Sequence, residues 1–172
     1  NMRQKYDLII VGGGPAGSSA ALAASKEGIE VLVLERKKIP GSPVQCAGFI
    51  PQMLELKLRL DKQIINQQIS TTKIFISGKE VVKTPTPGYI IDRQLFDELL
   101  LKRAQKSNSF IELNAKVISI KDHLVKVLKD EQIFEYEADI IIGADGPCSI
   151  VGRETGIKNE EFVIALQWEL PI

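Results

Sequence analysis

The run Asp7-Leu-Ile-Ile-Val11, followed at once by Gly12-Gly-Gly-Pro-Ala-Gly17, constrains this chain more than any other feature. A short unbroken apolar run ending on glycines has the length and continuity of a strand buried on both faces of a parallel sheet. Pro15 suits a first helical turn and Gly28 the residue after a helix end, so the small residues 16–25 between them are predicted to be helical. Val31-Leu-Val-Leu34 reads as a second buried strand. It completes a strand–helix–strand unit in about 30 residues, and a right-handed crossover sets its two strands side by side.

Within that unit Gly12, Gly14 and Gly17 satisfy GxGxxG with a strand before and a helix after. That context separates the motif from chance. The first glycine permits the tight turn, the second lets the backbone approach a pyrophosphate, and the third lets the helix lie close on the strand. The helix start adds free N–H groups and the positive end of a dipole. Glu35 ends the second strand, 18 residues past Gly17, where a carboxylate accepts hydrogen bonds from adenosine ribose hydroxyls and repels a 2′-phosphate. Residues 6–36 are therefore predicted to hold the ADP part of a dinucleotide other than NADP. The bland alternative, a tight turn with a solvated acid beside it, leaves the combined strand, helix and acid context unexplained.

Composition narrows the rest. The 172 residues, 44% of them apolar, suffice for one domain with a core. Lys plus Arg equals Asp plus Glu at 22 each, so nucleic acid is not an expected partner. Cys46 and Cys148 form neither a CxxC nor a Cys/His pattern, so no metal site is expected and the compartment reads as reducing. No apolar run reaches the roughly 20 residues of a membrane helix, and the expected location is cytoplasmic. Asn1 before Met2 reads as a tag remnant. The chain stops on Glu169-Leu-Pro-Ile172, directly after the strand-like run 162–168, and is expected to be a fragment of a longer protein.

Further along, the Pro- and Gly-rich segment 36–51 reads as a long ordered loop, the kind that carries function. Residues 54–60 read as helix, and 73–76 and 80–83 as strands of a hairpin about Ser77-Gly78-Lys79. Residues 70–91 are thus an expected antiparallel insert, with a break at Pro85, Pro87 and Gly88. Asp92 is placed to cap a helix running to about residue 107. Residues 110–113 return as strand, and 117–120, 124–128 and 133–136 read as a meander. A buried strand at 139–142 then meets Gly143-Ala-Asp-Gly146, and a short helix follows over 149–155. Phe162 and Trp168 are assigned to core or a domain interface, Cys148 to a structural role, and His123 to a surface turn.

The fingerprint alone does not separate FAD from NAD. The loop after Glu35, the helix start Asp92-Arg-Gln-Leu-Phe-Asp97 and the Gly143-Ala-Asp-Gly-Pro147 turn resemble FAD-dependent oxidoreductases related to the aromatic hydroxylases. Together with GGGPAGSSAA and Leu34-Glu-Arg-Lys37, the run Gly41-Ser-Pro-Val-Gln-Cys46 looks like the geranylgeranyl reductase family, across residues 6–172. In that family a glycine and an acidic residue often follow the cysteine, where this chain has Ala47-Gly-Phe49.

The resemblance implies an α/β, Rossmann-like FAD-binding fold of the GR2 glutathione reductase-like type, with a parallel sheet, a β-meander crossover and an antiparallel insert on the substrate side. It implies that Pro15, Ala16, Glu35 and Arg36 hold the ADP portion, that Cys46, Ala47 and Gly48 line the flavin side, and that Arg93 reaches the pyrophosphate. The strand from Ala115 to Val117 would touch adenine, with Ala144, Asp145 and Gly146 shaping the cleft. Against these stand plainer roles: Arg93 as a solvated first-turn cation, Asp145 as a turn residue, Cys46 as a small buried hydrophobe.

The implied reaction is reduction of carbon–carbon double bonds in geranylgeranyl chains of isoprenoid lipids, with NADPH or another reductant as electron donor. No residue stands out as proton donor, and the catalytic group is unassigned apart from Cys46 near the flavin. A lipid substrate implies peripheral contact with a membrane. If truncated, the chain is expected to bind FAD weakly or not at all, without turnover. A flavin monooxygenase or hydroxylase, an NAD-dependent dehydrogenase and a dinucleotide-binding module without turnover are the other readings, and oligomeric state stays open.

Overall fold

The structure is a computed structural model that describes residues 4–55, 60–157, 159–166 and 168. It divides into two units, Asn1–Ser42 with Asp97–Ala165, and Pro43–Phe96 with Leu166–Ile172.

The first unit is built on strands β1 (Gln4–Val11), β2 (Val31–Leu34), β6 (Phe110–Glu112), β7 (Lys116–Lys121), β8 (Leu124–Lys129) and β9 (Gln132–Gly143). They form one sheet in the order β6-β2-β1-β9-β8-β7. Pairing of β1 with β2 and β9, and of β2 with β6, is parallel, whereas β7, β8 and β9 form an antiparallel meander. Helix α1 (Pro15–Lys26) crosses between β1 and β2.

The unbroken apolar character of β1 has a direct cause. Ile9 and Val11 point into one core with Leu32, Leu34, Val125 and Val127, while Leu8 and Ile10 point into another with Ala21, Val31, Val33, Leu101 and Ala104. Alternate residues of a strand face opposite sides, so a strand covered on both sides needs apolar residues at every position. Ile9, Ile10, Val31 and Val33 are fully buried, each contributing roughly 1.5–3 kcal/mol.

The second unit holds β3 (Phe49–Pro51), β4 (Ile65–Ile76) and β5 (Lys79–Ile91) in an antiparallel sheet ordered β3-β5-β4. The hairpin turns on Ser77 and Gly78, both with positive φ (49° and 77°), as a two-residue turn matching strand twist requires. Asp92 caps α2 (Arg93–Lys106) through its Oδ1, which accepts the Leu95 N–H at 2.9 Å.

Several expectations are corrected. The run at 133–136 and the strand at 139–142 are one strand, β9, which pairs with β8 over its first half and with β1 over its second. The gap expected at Glu137 and Ala138 is where the neighbour changes, Glu137 pairing with both Leu124 and Lys5, and Ile140 and Ile142 are 61% and 37% exposed rather than buried. Pro85 and Pro87 do not end β5, because they sit at the register shift between Ile69 and Thr71, where the ladder is already interrupted.

The run 162–166 pairs with no strand among the described residues, and Phe162 and Trp168, assigned to core or a domain interface, are 60% and 75% exposed, which removes the core assignment. Of the helix expected over 54–60, Gln52–Leu54 form a 3₁₀ turn and residues 56–59 lie outside the described set. Among the described residues no helix is long and apolar enough to cross a membrane.

Candidate dinucleotide-binding site

Parallel pairing sets Val11 opposite Leu34, so the turn after β1 and the acid after β2 emerge together at the C-terminal ends of adjacent strands. Gly13 N–H donates to Glu35 Oε2 at 2.6 Å and Lys37 N–H donates to Oε1 at 2.8 Å. The carboxylate, only 8% exposed, is thereby oriented without being used up, since each oxygen has lone-pair capacity for another donor. Ser18 Oγ donates to the Gly13 carbonyl at 3.0 Å and fixes the turn from behind.

The glycines divide by purpose. Gly12 has φ +105°, and a Cβ on it would lie 2.3 Å from the Ala144 carbonyl oxygen. On Gly17 a Cβ would lie 1.9 Å from the Gly12 oxygen, and on Gly13 it would lie 2.9 Å from Glu35 Cβ. Gly14 differs: a Cβ there meets nothing within 4 Å, and its φ of −69° is open to any residue. Among the described residues neither packing nor backbone geometry calls for a glycine at Gly14.

Gly14 is also the N-cap of α1, which has no side-chain cap and no acid in its first turn. Its first N–H groups and positive dipole end are therefore available to an anion. A pyrophosphate drawn against that helix start accounts for the missing side chain. Pro15 occupies the first helical position and Ala16 is exposed beside it. The residues present fit the ADP end of a dinucleotide.

The remaining candidates are placed unequally. Arg36 is exposed next to Glu35. Ala115 N–H donates to the Glu35 carbonyl at 2.9 Å, which brings that segment to the same strand end, but the Ala115 and Val117 side chains are buried in the core. Only their backbone is offered to a ligand. Asp145 accepts from Ser149 Oγ at 2.5 Å and from Ile150 N–H at 2.6 Å, so both oxygens cap the short helix α3 (Ile150–Glu154).

A cavity of about 560 Å³ beside α3 is bordered by Gly143, Gly146, Cys148 and Arg153. Cys148, expected to have a structural role, is exposed there. His123 lies in a surface turn, its Nδ1 2.9 Å from the Ala138 carbonyl oxygen.

In the second unit, β3–β5 pairing joins two candidates that are distant in sequence. Ile91 N–H donates to the Gly48 carbonyl at 2.9 Å, and a Cβ on Gly48 would lie 2.7 Å from the Ile91 carbonyl oxygen and 3.6 Å from Arg93 Cγ. Cys46 is exposed and its Sγ accepts weakly from Gly48 N–H at 3.5 Å; Ala47 is exposed as well. Cys46 is therefore not a buried hydrophobe.

Sequence reasoning missed Gly13, whose lack of a side chain admits Glu35; the third consecutive glycine of Gly12-Gly-Gly14 was the signal. It also missed Tyr89, which is buried and donates to Glu55 at 2.6 Å, a bond that lifts the phenol above its ordinary 10.0. No periodicity marks that pair. Among the described residues no cluster of three or more metal-ligating side chains occurs.

Comparison with known proteins agrees with this geometry. Residues 5–170 match the FAD binding domain family. The chain is 32% identical to an uncharacterised protein from the nifH2 5′ region of Methanosarcina barkeri, covering 88% of each. It is 33% identical over 170 residues to the digeranylgeranylglycerophospholipid reductase of Methanosarcina mazei, covering 92% of this chain and 42% of that protein.

Among solved structures, a geranylgeranyl bacteriochlorophyll reductase-like protein from Thermoplasma acidophilum superimposes with a TM-score of 0.76 at 27% identity, over 85% of this chain and 40% of that one. The p-nitrophenol 4-monooxygenase of Pseudomonas putida shares the fold, with a TM-score of 0.73 at 21% identity over 90% of this chain and 44% of its own. This chain thus spans about two-fifths of the named reductases. It belongs to the FAD binding domain family and, within it, resembles the N-terminal part of the geranylgeranyl reductases.

Proposed function

We propose that this chain holds the ADP part of FAD for a flavoprotein that saturates carbon–carbon double bonds in geranylgeranyl chains of lipids. The observation that carries the cofactor reading is Gly14, a glycine at an uncapped helix start whose Cβ position is open and whose backbone is ordinary. The substrate reading is supported by the Gly41-Ser-Pro-Val-Gln-Cys46 loop and by the 33% identity to proteins named digeranylgeranylglycerophospholipid reductase.

In this reading Gly14 and Ala16 present backbone N–H groups to the pyrophosphate, Pro15 fixes the first helical turn beside it, and Arg93 adds a cation to it. Glu35 accepts from the ribose hydroxyls, with Arg36 alongside. Ala115 and Val117 offer backbone to adenine, and Gly12 and Gly17 keep the turn closed. Ala144, Asp145 and Gly146 border the cleft, Asp145 acting through α3. Cys46, Ala47 and Gly48 line the flavin side, and the antiparallel insert at residues 70–91 stands on the substrate side. Once bound and reduced, FAD supplies the hydride for one alkene carbon, while the protein orients it and excludes water.

A proton must reach the other carbon, and we assign it to no residue of this chain. The electrons come from NADPH or another reductant. Because the named reductases extend well beyond the aligned part, we place turnover in residues this chain does not hold, and expect it to bind FAD weakly. Titration of FAD, followed by quenching of flavin fluorescence, should show weak saturable binding, and dithionite-reduced FAD with a geranylgeranyl lipid should give no saturated product. A stoichiometric flavin spectrum in the purified protein, or alkene reduction by it, would overturn this reading.

A further inference from the structure

Three stretches of chain meet at the strand end that carries Glu35. Glu35 N–H donates to the Glu112 carbonyl and Ala115 N–H to the Glu35 carbonyl, both at 2.9 Å, and Asn114 N–H donates to the Lys37 carbonyl at 3.2 Å. The backbone of residues 112–115 thus brackets Glu35. Side chains of the same segment reach the tip of the β8–β9 hairpin. The Lys129 ammonium donates to the Glu112 carboxylate, and Asn114 Nδ2 donates to Asp130 Oδ1 at 2.7 Å.

Backbone geometry sets this meeting point apart. Asn114, Asp130 and Glu131 have φ of 56°, 48° and 64°, and they are three of the six non-glycine residues with positive φ among the described residues. Lys129 opposes Gln132, so Asp130 and Glu131 are the centre of a two-residue turn, which needs positive φ at both positions to follow the strand twist. Glycine takes such angles at least cost, yet this turn has none. Asp130 instead supplies the carboxylate that Asn114 holds. Left-handed residues other than glycine persist where their surroundings fix them, and they gather at ligand sites.

Stability is a poor reason for these contacts. The Lys129 and Glu112 side chains are 31% and 34% exposed and the Asn114–Asp130 bond lies at the surface, and exposed polar pairs add little to folding. Both contacts also run from the tip to a distant segment, over 16 and 17 positions, instead of closing the hairpin on itself.

We propose that Lys129 and Asp130 are positioning residues of the nucleotide site, a latch that holds residues 112–115 against Glu35 so that the backbone from Ala115 onward meets the base at a fixed height. Neither side chain needs to touch the ligand. The latch rests on the ADP reading above and adds to it a source of selectivity for the base. A fixed strand backbone can match adenine, whose amino group donates and whose neighbouring ring nitrogen accepts, and then mismatches hypoxanthine, where the oxygen accepts and the ring N–H donates. A loosened backbone adapts to either.

Titration calorimetry of the 172-residue protein with ADP and with inosine diphosphate, which carries the same phosphates, tests the latch. The unaltered protein should favour ADP by about tenfold. Asn114→Asp sets two carboxylates against each other, and Lys129→Met removes the cation but keeps the stem. Each should narrow the preference to about threefold or less, with a urea midpoint close to that of the unaltered protein. Adding Asp130→Asn to Asn114→Asp exchanges donor and acceptor and should restore it. A change of charge alone weakens both diphosphates alike and leaves their ratio unmoved.

A preference that stays about tenfold in either variant, or that the unaltered protein lacks, would overturn the latch. So would a narrowed preference that accompanies a lowered urea midpoint and is not restored by the exchange, because the contacts would then serve folding only. ADP binding by no form would remove the nucleotide reading itself, and the latch with it.

Discussion

Glu35 Oε2 accepts the Gly13 N–H at 2.6 Å, and through this bond the end of β2 is fastened to the turn leaving β1. The relationship is mutual, since a side chain on Gly13 would collide with Glu35 Cβ. The acid that we propose selects a ribose is thus also part of the turn that we propose receives the phosphates.

Glu35→Gln should separate these roles. Its amide can accept only one of the two backbone N–H groups now bound, leaving the other unsatisfied at a cost of about 1–3 kcal/mol. ADP affinity should fall by about tenfold, and its 2′-phosphorylated form should lose less, because the repelling charge is gone. Titration calorimetry with both ligands measures the change; an undiminished preference for ADP would show that Glu35 does not face the ribose.

Gly14→Ala and Gly17→Ala should have opposite signatures. The Gly14 variant adds a Cβ into open space and should change stability by less than about 1 kcal/mol while weakening ADP and FAD binding by about tenfold or more. The Gly17 variant forces a 1.9 Å approach to the Gly12 carbonyl oxygen and should cost about 3 kcal/mol in urea unfolding. A Gly14 variant that binds normally would remove the main support for the phosphate site.

These two glycines show how far the sequence was legible. GxGxxG with its strand and helix located the turn, and the hairpin and the Asp92 cap followed from local chemistry, because each depends on residues a few positions apart. Which glycine serves packing and which a ligand depends on Ala144 and Glu35, far away in sequence. β9 was misread for the same reason: the gap expected at its middle marks a change of neighbour, and neighbours are set by the whole sheet. The Gly48–Arg93 approach likewise depends on β3–β5 pairing, which no local pattern announces.

Asp145→Ala and Ser149→Ala should each lower stability by about 1–2 kcal/mol, because together they cap α3. Both act on one cap, so the double variant should cost less than the sum. Denaturant unfolding of all three tests this, and strict additivity would contradict a shared cap.

Alkaline pH should destabilise the protein from about pH 10 upward. Burial lifts the Tyr6 and Tyr136 phenols above 10.0, and the hydrogen bond from Lys129 to Glu112 lifts that ammonium above 10.5. Each group binds its proton more tightly in the folded state, so stability is complete below the unfolded pKa and declines as pH climbs toward the folded one. Urea midpoints should be level between pH 7 and about 9 and drop beyond 10, with Tyr136→Phe flattening the drop. A rise in stability above pH 10 would contradict the assignment.

The central claim, that the turn after β1 and Glu35 recognise the ADP end of FAD, is tested most directly by competition. With FAD bound to this chain and followed by its fluorescence, ADP should displace it fully, at a concentration within about tenfold of that needed for FAD itself, and FMN should not displace it. Displacement by FMN with none by ADP would place the recognition elsewhere and contradict the account.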